Sequence, residues 1–172
     1  MTNAARKVTI RLATRDDLPA INDIFNYYVA KSTCTYRTEP ATDAERAEWF
    51  DEHDEGHPAT IAEMEGEVVG WASLSAWLSA CHSRSAYRFT VEDSVYVRSD
   101  MQRKGIGRAL LADLIERARS AGHHSIIASI SADQEASVAL HEAFGFVNAA
   151  HLREVGRKFD RWLDVVYMQL TL

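Results

Sequence analysis

Two hydrophobic periods alternate along this chain, and the sharpest change from one to the other falls between Thr90 and Ala121. Val91, Val95, Tyr96 and Val97 favour extended backbone and predict a strand over 90–97. A polar turn follows, and Arg103-Lys104-Gly105-Ile106-Gly107-Arg108 opens a helix. Its apolar face is Ile106, Leu110, Leu111, Leu114, Ile115 and Ala118, with Gly122 at a C-cap position. Two glycines and three cations therefore sit where a strand hands over to a helix N-terminus. Unpaired backbone N–H groups and the positive end of a dipole suit a diphosphate there.

The same reading gives the other elements. Val8 to Ala13 predicts a first strand, and Thr14 caps a helix whose apolar face holds Leu18, Ile21, Ile24, Phe25 and Tyr28. Pro19 is close enough to the start to be tolerated. Thr42-Asp-Ala-Glu45 is a capping box opening a second helix with Trp49 and Phe50. Ile61-Ala62 and Val68 to Leu74 predict a hairpin turning at Glu65-Gly66. Trp77 to Arg88 reads as a functional loop. Ser125 to Ile130 predicts a strand, Glu135 to Phe144 a helix ending at Gly145, and Ala149 to Glu154 and Trp162 to Leu172 two more strands. Trp71, Trp77 and Trp162 are expected in the core or a pocket wall. Strand–helix alternation with a hairpin predicts an α/β fold, a mixed sheet flanked by helices, in one domain spanning 1–172.

Composition narrows the function. A net charge of −6 argues against a general nucleic-acid binder, so the basic turn is a local feature on an acidic protein. No apolar run approaches the length of a membrane helix, and the N-terminus lacks the apolar core of a signal peptide. Cys34 and Cys81 form no motif, so the cytoplasm is the expected compartment. His53 with His57, and His123 with His124, lack the Cys or carboxylate pattern that would complete a metal site; structural or surface roles are expected, and no metal.

Strand alternation puts Glu92, Ser94 and Tyr96 on one face and Val91, Asp93, Val95 and Val97 on the other. A carboxylate amid Val, Ser and Tyr runs against strand propensity. Glu92 is either a base or a residue facing solvent or pairing with Arg88, and Asp93 is the second choice, pointing away from it. His141 lies on a short amphipathic helix, where a structural hydrogen bond competes with a chemical role. The turn at Gly105 is not a P-loop, because GxxxxGK[ST] is absent. It is not a dinucleotide fingerprint either, since Leu110 stands where the third glycine would be.

The segment Gln102-Arg103-Lys104-Gly105-Ile106-Gly107 resembles the Q/R-x-x-G-x-G/A signature of the GCN5-related N-acetyltransferases (GNAT). Ser32-Thr33, Tyr36-Arg37-Thr38-Glu39-Pro40, Ala86-Tyr87, Thr90-Val91-Glu92, Ser94-Val95-Tyr96-Val97 and Leu140-His141-Glu142 look like the phosphinothricin and methionine-sulfone subfamily, in order from Ile10 to Leu170. The resemblance implies a sheet of about seven mostly antiparallel strands, splayed at its centre for acetyl-CoA. It implies that Gln102, Arg103, Lys104, Gly105, Ile106, Gly107 and Arg108 cradle the diphosphate, and that Val95, Tyr96 and Val97 offer backbone groups to the pantetheine arm. It also implies Glu92 as general base and His141 as general acid or cofactor contact.

Gln134 stands where an asparagine is usual, adding a methylene, and Ser137 is where the pattern has it. The subfamily's substrates are amino acids with a tetrahedral head, and the matching positions are Tyr36, Arg84, Tyr87, Glu92 and Val165, with His82 where some members are basic and Arg88 distinctive, since related sequences with Phe-Arg before the Thr-Val-Glu string are methionine-sulfone types. Direct transfer is expected, since no cysteine falls in the motifs. A polyamine, a lysine or a protein N-terminus as acceptor, and a non-catalytic CoA-binding module, are the alternatives. A homodimer is what the resemblance suggests.

Overall fold

A computed structural model describes residues 7–77 and 85–172. All seven strands join one sheet: β1 (Thr9–Leu12), β2 (Ala59–Met64), β3 (Glu67–Ala76), β4 (Thr90–Val97), β5 (Ser125–Ser131), β6 (Val147–Lys158) and β7 (Arg161–Thr171). Their spatial order is β1-β2-β3-β4-β5-β7-β6. Every pairing is antiparallel except β4 with β5, which are joined by a helical crossover, as a parallel pair must be. The mixed, mostly antiparallel sheet is the one the resemblance implied.

That crossover is α3 (Ile106–Ser120), whose apolar stripe buries Ile106, Leu110, Leu111, Leu114 and Ala118 against Leu74, Val91, Ile126 and Met168. On the opposite face, α1 (Leu18–Lys31) packs Ile21, Ile24 and Tyr28 on Ile61 and Trp71. The remaining helices are α2 (Asp43–Asp51) and α4 (Glu135–Glu142). Sandwiching the sheet makes β4 central and buried from both sides, so a polar side chain on it must find a partner or a ligand.

The central pair does not zip up. Along β3, β4 is paired from Val91 to Val97, but against β5 the register covers only Thr90↔Ser125, Val91↔Ile126 and Glu92↔Ile127. Beyond Glu92 the two strands diverge, and one edge of β4 is left without a strand partner. The splay implied by the resemblance is present.

Three details differ from the sequence reading. Thr14 introduces a 3₁₀ turn (Arg15–Asp17) rather than α1 itself; its N–H and Oγ1 both donate to Asp17 Oδ2, at 2.8 and 2.9 Å. Strand β6 is twice the expected length, because a register shift between Leu152 and Gly156 breaks the alternation on which the reading relied. Glu154, at φ 53°, stands in that bulge, and its N–H donates to Asp164 Oδ1 at 2.9 Å. Trp162 is 60% exposed at the start of β7, neither core nor pocket wall. It sits on the outer hairpin of the sheet, where the Arg157 guanidinium lies over its ring.

Candidate active site

The diverging strands enclose a cleft of about 80 Å³. One wall is Asp93 to Tyr96 of β4 and the other Ala128 to Ser131 of β5; Gln134, Ser137 and His141 close one side, and Cys34, from the loop after α1, also lines it. An extended chain bearing amides fits such a place, since it can take up the hydrogen bonds that β5 leaves unmade. Val95 and Val97 pack their side chains on the α3 core, whereas the Tyr96 ring stacks on Trp71 at 4.7 Å on the other face. These side chains anchor β4 in both cores and leave its backbone as the part that meets the cleft.

At the end of β4 the chain reaches the mouth of α3. Gly105 is its N-cap, at φ 81°, a left-handed conformation that glycine adopts without strain. Having no side chain, it caps nothing: the first bond of the helix runs from the Ala109 N–H to the Gly105 carbonyl, so Ile106, Gly107 and Arg108 present N–H groups outward. The Ile106 side chain is buried in the core, so only its backbone can meet a ligand. Arg103, itself at φ 59°, and Arg108 are exposed, and the Arg108 guanidinium lies 5.0 Å from the centre of the Phe144 ring. Lys104 reaches back to the Asp100 carbonyl, 3.2 Å away. Gln102 turns inward: its Nε2 donates to Tyr28 Oη at 2.7 Å, and that hydroxyl donates to the Val97 carbonyl at 2.5 Å. Its side chain therefore braces the turn from behind. Three N–H donors, the helix dipole and nearby cations are an arrangement suited to an anion.

Glu92 stands at the last position of β4 that pairs with β5. It makes no hydrogen bond or ion pair among the described residues, and Arg88 instead lies over Phe89 and donates to the Ser85 carbonyl. Burial pushes the Glu92 carboxyl up, and the charge of Asp93 adds to this. A half-buried carboxylate with a raised pKa and no partner among the described residues is the kind of group suited to accept a proton.

Asp93 points the other way, as strand alternation requires, and meets His141. Its Oδ2 is 3.0 Å from His141 Nε2, with side chains only 2% and 4% exposed. His141 Nδ1 lies 2.7 Å from the Ser137 carbonyl one helical turn back, and its ring is edge-on to Phe146. Burial works against a charged ring here, but the hydrogen bond and charge of Asp93 and the Ser137 carbonyl outweigh it, so the His141 pKa is raised. Asp93 Oδ1 is buried and has no hydrogen-bond partner among the described residues, and a buried acceptor left unpaired costs about 1–3 kcal/mol.

Gln134 lines the cleft, yet its amide N–H₂ is already engaged, donating to Thr33 Oγ1 at 2.8 Å. The neighbouring Asp133 accepts from Thr33 and Ser131 at Oδ1 and from Arg161 at Oδ2, which ties the loop after α1 to the sheet. The same loop is pinned from the hairpin by buried Lys158, whose Nζ donates to the Ser32 and Thr35 carbonyls at 2.7 and 2.8 Å. Tyr36 hangs from this loop, its hydroxyl donating to the Asp164 carbonyl at 3.0 Å, beside Val165 on β7. A Cβ on Gly156 would collide with its ring, so the bulged part of β6 is shaped around Tyr36. Tyr87 is exposed on a 3₁₀ turn (Ser85–Tyr87), and Arg84 and His82 lie outside the described residues.

The structure thus joins Val95, Tyr96, Gln134, Ser137 and His141 in one cleft, with Glu92 at its apex on the other face and Tyr36 with Val165 to one side. Asp93's partnership, Cys34 in the wall and the Lys158 brace were not foreseen. A hint of the first was available, for an aspartate on the valine face of a buried strand needs a partner.

The chain matches the Acetyltransferase (GNAT) family over residues 21–146. It is 42% identical, over 95% of its length and 94% of the relative's, to the L-methionine sulfoximine/L-methionine sulfone acetyltransferase of Pseudomonas aeruginosa. Among solved structures, a phosphinothricin acetyltransferase from Sinorhizobium meliloti in complex with acetyl-CoA superimposes with a TM-score of 0.90 at 38% identity, covering 96% of this chain and 88% of that one. A ribosomal-protein-alanine N-acetyltransferase from Brucella melitensis also gives 0.90, at 41% identity, covering 95% and 99%.

Proposed function

The chain belongs to the GNAT family of acetyltransferases and is an acetyl-CoA-dependent acyltransferase, and on that premise we propose that it acetylates the α-amino group of a small amino acid of the phosphinothricin, methionine sulfoximine or methionine sulfone type. The observation that carries the reading is Glu92, a carboxylate with a raised pKa and no partner among the described residues, placed where the sheet opens.

Acetyl-CoA supplies the activated acetyl group as co-substrate. Its diphosphate rests on the N–H groups of Gly105 to Arg108 with Arg103 and Lys104 nearby, and its arm pairs with the free edge of β4 at Val95 to Val97, reaching Gln134 and Ser137. Glu92, directly or through water, takes the proton that keeps an ammonium from attacking, and the freed nitrogen adds to the thioester carbonyl. A backbone N–H of β4 stabilises the oxyanion. The carbon–sulfur bond then breaks, and His141 provides the proton for the thiolate. Tyr36, Val165 and Tyr87 form the acceptor pocket. Cys34, its thiol pushed up by burial, stays protonated and takes no acetyl group, which fits direct transfer.

The test is release of free CoA with amino acids, sulfones, polyamines and peptides offered in parallel. Turnover is expected on the sulfone and phosphinothricin class. Glu92→Gln is expected to keep acetyl-CoA affinity and lose about 10² to 10⁴ in rate. Because the Glu92 pKa is raised, the wild-type rate falls with acid at a higher pH than an ordinary carboxylate would give, and the variant loses that limb. Fast turnover on peptides alone would favour a second reading, a protein N-terminus, which the Brucella structure raises.

The cytoplasm, where acetyl-CoA is at hand, is the compartment proposed; among the described residues no helix is long and apolar enough to cross a membrane. A homodimer is proposed through the outer β6–β7 hairpin, which has a free edge at β6 and exposes Leu152, Val155 and Trp162.

A further inference from the structure

The His141 ring has no nitrogen left over. Nδ1 faces the Ser137 carbonyl, which can only accept, so Nδ1 carries a hydrogen. Nε2 faces a carboxylate oxygen at 3.0 Å, and two lone pairs would repel there, so one proton lies between them. The pair as a whole is neutral and buried, and it holds a proton in the wall of the cleft. Phe146 fixes the ring edge-on, which leaves it one orientation. The other oxygen of Asp93 is buried and has no hydrogen-bond partner among the described residues.

We propose that Asp93 is the positioning residue of this site: through Oδ2 it keeps His141 oriented and protonated as an imidazolium beside the thioester. This rests on the acetyl-transfer reading above. When the carbon–sulfur bond breaks, the electron pair stays on sulfur and the proton held at the Nε2–Oδ2 contact passes to it. A neutral imidazole beside a carboxylate remains, and solvent returns the proton once the thiol has left. The other titratable groups lining the cleft, Cys34 and Tyr96, are both pushed up by burial and carry no charge at neutral pH. Glu92, next along β4, is on the opposite face. Asp93 is thus the only charge on the ring among the described residues. Removing it lets the ring lose its proton at lower pH.

Asp93→Asn keeps shape and removes charge. The expected result is a kcat at least about tenfold lower, a KM for acetyl-CoA within about threefold, and an alkaline limb of kcat moved to lower pH by a unit or more. An unchanged kcat and an unchanged alkaline limb would overturn the proposal. Nitrogen-15 NMR of the histidine rings in the wild-type protein decides the matter even if the variant does not fold, with the His141 signals assigned by their loss in His141→Gln. Both His141 nitrogens are expected to be protonated at pH 7.5; a single protonated nitrogen, with the ring titrating near 6.5, would overturn it. Calorimetry separates the two levels of the argument. Should acetyl-CoA fail to bind the wild-type protein, the acetyl-transfer reading falls and this inference with it; should acetyl-CoA bind and Glu92→Gln slow turnover while Asp93→Asn does nothing, only the inference about Asp93 falls.

Discussion

The N-termini of α2 and α3 are built in opposite ways. At α2, Thr42 Oγ1 accepts from the Glu45 N–H at 3.2 Å and the Glu45 carboxylate accepts from the Thr42 N–H at 2.8 Å, so the turn is closed by its own side chains. The Glu45 carboxyl is held near 2 by Arg37 and by these bonds. At α3, Gly105 has nothing to offer, and the N–H groups of the first turn face outward beside Arg103, Lys104 and Arg108. A helix start that evolution could close with a serine or threonine has been left open. The strand feeding α3 is open too, since β4 loses its β5 partner after Glu92. On the proposed function, unfilled hydrogen-bonding capacity marks where the ligand goes, and filled capacity marks what holds the fold.

Closing the open end is the sharpest way to break that contrast. Gly105→Asp offers the first turn a carboxylate cap and puts negative charge where the diphosphate belongs, so acetyl-CoA affinity should fall by about 10²-fold by calorimetry, or ~3 kcal/mol. The positive φ adds about 1 kcal/mol of backbone strain, and thermal unfolding reads that part separately. Opening the closed end should do the reverse on a smaller scale. Thr42→Ala should cost about 1 kcal/mol of stability in chemical denaturation and leave acetyl-CoA affinity untouched. If Thr42→Ala weakened binding as much as Gly105→Asp, the division between holding and receiving would be mistaken.

Elements built on local pattern were readable from the residues. The stripe from Ile106 to Ala118, the Thr42–Glu45 box and the Glu65-Gly66 turn each need only a few neighbouring positions to declare themselves. What depended on distant pairing was not. No residue near β4 announces that β5 will part from it; the resemblance alone suggested that. Strand β6 was cut short because Glu154 and its neighbours bulge, and the carboxylate that secures the bulge, Asp164, is on another strand. The motif gives Gln102 and Gln134 their place beside the cofactor, but not the bonds that their amides donate to Tyr28 and Thr33, residues more than seventy positions away. The site's chemistry was half legible in the same sense. Glu92 stood out against its strand, while Asp93 and His141, 48 residues apart, became a pair only when β4 and α4 were brought together.

Amide hydrogen exchange with and without acetyl-CoA tests the central claim most directly, because it reads the backbone groups on which the claim rests. Added acetyl-CoA should protect the amides of Gly105 to Arg108 and the free edge of β4 from Asp93 to Val97, and leave the first turn of α2 as it was. Protection absent from both places in a protein that binds acetyl-CoA would contradict the account.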